Sequence, residues 1–214
     1  MNAIRSQSRP EYLRMLAAIL TAYTIIIAVG NQTYGAAARV GLLGALLWFA
    51  TQLRTERGLR TWAVVLGVAA FAVTSVMVVV GDPYWVSAVV GGWSLLLAGL
   101  AIVTIASTLF TRATADVVTV LGVLCIYLLF ALFFASVHQL LAAFFEPYLN
   151  GAGQPPTASD LLYFSVITLT TVGFGDLTPA NEIARAVTVA EALFGQLYLV
   201  SVVAGVVGGF RRPA

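Results

Sequence analysis

Long apolar runs alternate with short polar breaks along most of the chain. The runs fall at about 13 to 30, 36 to 53, 61 to 81, 84 to 110, 116 to 146 and 181 to 210, each near the roughly 20 residues a helix needs to cross a hydrocarbon core. Six membrane spans are predicted. The last break, Glu146 to Glu182, differs because it holds a shorter apolar run of its own. There, "NGAGQPPT" from Asn150 to Thr157 is turn-rich, and Pro155-Pro156 forbids helix up to that point. Thr157 and Asp160 then match a capping box, which predicts a helix over about 158 to 170. Such a helix is about 20 Å long, too short to span, so it must enter the membrane and stop partway. At its buried end stands "TLTTVGFGDLTP", Thr168 to Pro179.

Composition removes the soluble alternatives. Of 214 residues, 60% are hydrophobic and 9% charged, against roughly 25% charged in an ordinary soluble domain. All eleven basic residues are arginines, and positive charge is retained in cytoplasmic loops. Arg5, Arg9, Arg14, Arg54, Arg57, Arg60, Arg112, Arg211 and Arg212 all fall on one side of a six-span layout, which predicts both chain ends in the cytoplasm. Arg39 and Arg185 lie near the opposite face, where long side chains are expected to snorkel to the headgroups. The arginines form no continuous patch, which argues against nucleic acid as a partner. Cys125 is the single cysteine, so no disulfide forms within one chain. The first run lacks a small-residue cleavage site and is read as a span, not a removed signal. There is no H-E-x-x-H, no G-x-x-x-x-G-K-[ST] and no believable Ser, His and acid grouping, so an enzyme is not expected.

Irregular backbone at membrane depth survives only when buried in protein or lining a watery path. Backbone oxygens facing a narrow axis replace the hydration shell of a monovalent cation, provided that successive carbonyls point the same way. An ordinary strand alternates them. Residues able to take positive φ are therefore needed, and Gly173 and Gly175 supply them.

"TTVGFGD" resembles the selectivity-filter signature of the potassium channel family, and its context of span, capped re-entrant helix, signature and span is similar to that family's pore from 116 to 210. The resemblance implies an all-α membrane protein assembled as a four-fold homotetramer around a central pore, with lipid and K+ as its other partners and no organic cofactor. It implies K+ sites lined by the carbonyls of Thr171, Val172, Gly173, Phe174 and Gly175 and by the Thr171 hydroxyl. Phe174 stands where Tyr is commoner. The family's usual bond between the acid after the filter and a pore-helix aromatic implies a Tyr163 to Asp176 contact; the alternative is a solvated acid at the outer mouth. Ile167 replaces a glutamate that some bacterial relatives carry beside the filter. Thr170 and Glu191 complete the expected filter support. Gly195 corresponds to a gating hinge, with close helix packing as the equal alternative, and Gln196, Leu199 and Val203 correspond to cavity-lining positions.

Two ionisable residues stand out by depth. Glu191 is about ten residues into the last span, roughly 15 Å deep, where an ionisable group by default has a function. It is expected either to be a buried, protonated carboxyl bonded to pore-helix hydroxyls such as Thr168 or Thr170, or to be a charge that attracts cations and senses pH. His138 is about 22 residues into span five and is expected to be a hydrogen-bonded residue near the outer interface.

Residues 1–112 are read as a four-helix peripheral domain and 113–214 as the pore domain. The layout resembles that of voltage-gated channels, but Tyr84 to Phe110 carries no arginine, so steep voltage sensing is not expected. The function expected is passive, K+-selective conduction; a weakly selective cation channel and a nonconducting membrane anchor or regulatory subunit are the alternatives.

Overall fold

The computed structural model describes residues 2–28, 34–52, 57–110, 116–153 and 155–210; the side chains at 2–8, 34–38, 57, 59, 60, 83, 110, 203 and 206–210 are outside that description. Among the described residues seven helices follow one another: α1 (Asn2–Ala28), α2 (Tyr34–Gln52), α3 (Arg57–Val80), α4 (Pro83–Phe110), α5 (Val117–Ala142), α6 (Ala158–Leu169) and α7 (Glu182–Phe210). Five of them, α1, α3, α4, α5 and α7, contain stretches long and apolar enough to cross a membrane. The chain is thus a multi-pass membrane protein with an all-helical body.

Small residues set the helix spacing. A Cβ added at Gly44 of α2 would lie 3.2 Å from Gly67 Cα of α3, and one at Gly91 of α4 would lie 2.7 Å from the Leu140 nitrogen of α5. Without a hydrophobic drive between helices in lipid, such close backbone approach is what gains dispersion contact. One apolar cluster draws on α1 (Tyr12, Ile19), α2 (Leu43, Leu47), α4 (Leu97, Ile105), α5 (Leu129, Leu132) and α6 (Leu162). It therefore includes residues from both sides of position 112.

Helix starts follow their caps. Asp116 accepts from the Thr119 amide at 3.0 Å and opens α5. Thr157 accepts from the Asp160 amide at 3.1 Å while Asp160 accepts the Thr157 amide at 2.9 Å, closing the expected box at the start of α6. With 12 residues, α6 is about 18 Å long. Asn181 Oδ1 accepts from the Ala184 amide at 2.8 Å at the head of α7, while its Nδ2 donates to the carbonyls of Phe145 and Pro147.

The stretch between α5 and α7 contains one element not foreseen, a two-stranded antiparallel ladder of β1 (Leu149–Asn150) and β2 (Thr178–Pro179). It ties the segment before α6 to the segment just after the signature. The helix of the fifth run also ends earlier than the apolar run itself, at Ala142 and not near 146.

The expected fate of Arg39 is corrected. It is buried, with Nη1 donating to Gln139 Oε1 and Nη2 to Ser136 Oγ at 3.1 Å, both on α5. Two polar side chains of α5 offer it acceptors inside the bundle, so the guanidinium turns inward. Arg185 is exposed and pairs with Glu182 at 2.8 Å.

Candidate functional site

The loop after α6 folds back on the helix that delivers it. The amides of Val172 and Gly173 both donate to the Ile167 carbonyl, at 2.9 and 3.1 Å, and the Thr171 amide donates to Thr168 at 3.0 Å. These bonds turn three successive N–H groups toward the helix end, where carbonyls otherwise lack partners. Every second residue has a left-handed backbone: Thr171 at φ +58°, Gly173 at +52° and Gly175 at +84°. A Cβ at Gly173 or Gly175 would meet nothing within 4 Å, so conformation and not space calls for glycine there. Thr171 adopts the same region without being glycine, a feature that the residue type did not signal.

Thr170 is the C-cap of α6 and its hydroxyl donates to Val166 at 2.6 Å. Positions 170 to 176 are exposed on the single chain, with Val172 at 52% and Phe174 at 71%. Tyr163 Oη donates to Asp176 Oδ2 at 2.8 Å. Behind Asp176 lies Gly151, at φ +84°, whose added Cβ would sit 2.1 Å from the Asp176 carbonyl oxygen. That contact was not anticipated; a glycine in a turn-rich linker does not show which backbone it will touch.

On α7, a Cβ at Gly195 would lie 2.5 Å from the Leu169 carbonyl oxygen. The same carbonyl accepts from Tyr127 Oη of α5 at 3.0 Å. Gln196 is exposed and Leu199 half-buried, while the Val203 side chain lies outside the described residues.

Glu191 is fully buried, but not among the threonines expected. Its Oε1 meets Ser165 Oγ of α6 and its Oε2 meets His138 Nε2 of α5 at 2.9 Å. Ser165 and Leu169 are one turn apart, as are Glu191 and Gly195, so each pair shares a face of its helix and the two faces meet. Thr170 is off that stripe, and the described partners of Glu191 are Ser165 and His138. His138 is also fully buried, with Nδ1 2.8 Å from Tyr148 Oη and its ring edge-on to Phe164. Burial raises the Tyr148 phenol above its ordinary value. Pairing His138 with Glu191 escaped the sequence, although both had been marked by their depth.

Residues 122–210 match the family described as "Ion channel". A two pore potassium channel c of Oryza sativa subsp. japonica is 38% identical over 48 residues, 22% of this chain and 10% of that protein. Protein LctB of Bacillus caldotenax is 38% identical over 77 residues, 33% of this chain and 57% of that protein. The chain thus spans about a tenth and somewhat over half of the lengths of these two relatives. No solved structure matches at a significant level. Residues 122–210, from within α5 to the end of α7, are thus similar to an ion channel domain, and a potassium channel is among the relatives.

Proposed function

We propose that four copies of this chain form a K+-selective channel that conducts passively, with six spans per chain, α6 as re-entrant pore helix and both termini cytoplasmic. The observation that carries this reading is the left-handed backbone at Thr171, Gly173 and Gly175, with the Val172 and Gly173 amides bonded back to Ile167. Amides of Thr171 to Gly173 turned toward the helix would let carbonyls of this loop face an axis on the other side. Thr171, Val172, Gly173, Phe174 and Gly175 would then hold K+, with Tyr163, Thr170, Asp176 and Glu191 as support. One such loop per chain calls for four chains. Residues 1–112 would flank the pore without steep voltage sensing, since α4 carries no arginine.

The test is ion flux through the purified full chain in liposomes. A reversal potential that follows the K+ gradient against Na+, together with block by barium, is expected. A reversal potential indifferent to K+ over Na+ would favour a weakly selective pore, and absence of flux a nonconducting anchor.

A further inference from the structure

Proton counting along the buried Tyr148, His138, Glu191 and Ser165 chain leaves one arrangement in which each hydrogen has its own acceptor and no net charge is buried. Ser165 Oγ lies 2.9 Å from the Ala131 carbonyl and also against Glu191 Oε1. A serine hydroxyl has one proton, and a carbonyl cannot donate, so the Ser165 proton goes to Ala131. The contact with Glu191 then needs its proton from the carboxyl. On the other oxygen, Oε2 accepts from His138 Nε2–H, which makes Nδ1 the acceptor for the Tyr148 hydroxyl. All four side chains are fully buried. An ionised Glu191 would leave Ser165 to serve two acceptors with one hydrogen, and a protonated His138 would need Tyr148 Oη as acceptor and the phenol proton placed elsewhere. The ionisable groups that bear on Glu191 are His138 of α5, Tyr148 of the loop after α5 and, at longer range, Tyr23 of α1.

We propose that Glu191 and His138 are positioning residues for the filter: Glu191 is a neutral carboxylic acid donating to Ser165, and His138, held by Tyr148, fixes the orientation of that acid. The chain joins three elements, α5 through Ala131 and His138, α6 through Ser165 and α7 through Glu191. Ser165 is two residues before Ile167, whose carbonyl holds the amides of Val172 and Gly173, so the bond sets the depth of the helix end that shapes the loop. A buried network satisfied throughout fixes one packing arrangement, and one missing proton leaves a buried polar group unpaired. Its effect on conduction rests on the channel reading above; the protonation state does not.

Two measurements separate these. Infrared difference spectra of the full chain in lipid, wild type minus Glu191→Gln at neutral pH, are expected to show the carbonyl stretch of a protonated carboxylic acid. A carboxylate band in its place overturns the proposal whether or not the protein conducts. In liposomes, Glu191→Gln keeps a donor toward Ser165 and an acceptor toward His138, whereas Glu191→Ala keeps neither. K+ flux is expected to fall about tenfold in Glu191→Ala and to be restored in Glu191→Gln, from the population shift that an unpaired buried group causes. Equal flux loss in both variants overturns the positioning role, while absence of flux in the wild type overturns the channel reading and leaves the spectral result standing.

Discussion

Gly195→Ala separates a helix that bends from a helix that packs. The added methyl would meet the Leu169 carbonyl oxygen at 2.5 Å and Leu169 Cδ1 and Cγ at 2.8 and 3.1 Å. A flexible side-chain tip gives way cheaply, but a carbonyl oxygen moves only with its backbone. That backbone is held by the Tyr127 hydroxyl on Leu169 and, two residues earlier, by the double acceptance at Ile167. Overpacking of this kind costs roughly 1–3 kcal/mol, and losing the Tyr127 bond adds about 1 kcal/mol. Against this, alanine gains up to about 1 kcal/mol over glycine in a helix interior. The net expectation is a loss of roughly 1–3 kcal/mol per chain, dominated by the clash. The assay is the fraction of purified protein that survives graded heating in detergent, read by size-exclusion chromatography. Lower heat resistance in Gly195→Ala is expected. If the variant is as stable as wild type or more so, the packing argument fails and a hinge role gains, because a freely bending glycine has only helix propensity to recover.

Three further outcomes are expected. Tyr163→Phe removes the 2.8 Å bond to Asp176 and should hasten the decay of conduction in sustained recordings; unchanged decay would reject a strut. Gly151→Ala forces a Cβ to within 2.1 Å of the Asp176 carbonyl in a left-handed backbone, so a loss of roughly 1–3 kcal/mol in the same heating assay is expected, and none would mean that the outer loop yields. Arg39→Met replaces a buried guanidinium whose described partners are the uncharged Gln139 and Ser136; desolvation relief predicts a variant at least as heat-stable as wild type, whereas marked destabilisation would show that those bonds outweigh the buried charge.

What could be read from the linear chain was governed by short-range rules. Apolar run length announced the five helices long and apolar enough to cross a membrane, with the second run, now α2, not among them, and the Thr157 and Asp160 spacing announced the start of α6, because a cap bonds within three residues. Gly173 and Gly175 were legible as left-handed positions because glycine is the residue that takes that region freely. Thr171 was not, since its conformation is imposed by the amide bonds that surround it and not by its own preference. Arg39 was assigned to the headgroups because a side chain's length is visible in sequence and its neighbours are not.

The contrast is clearest at Glu191. Its depth in an apolar run was enough to mark it, since burial of an ionisable group is costly in any fold. Its partners were a matter of how helices abut: His138 lies 53 residues away and Ser165 26. Which faces meet depends on register between α5, α6 and α7, set by close approaches such as Gly195 on Leu169. Hydropathy and capping act within a turn or two of chain and so survive in the one-dimensional string. Contact between distant turns arises only when the whole bundle has found its packing.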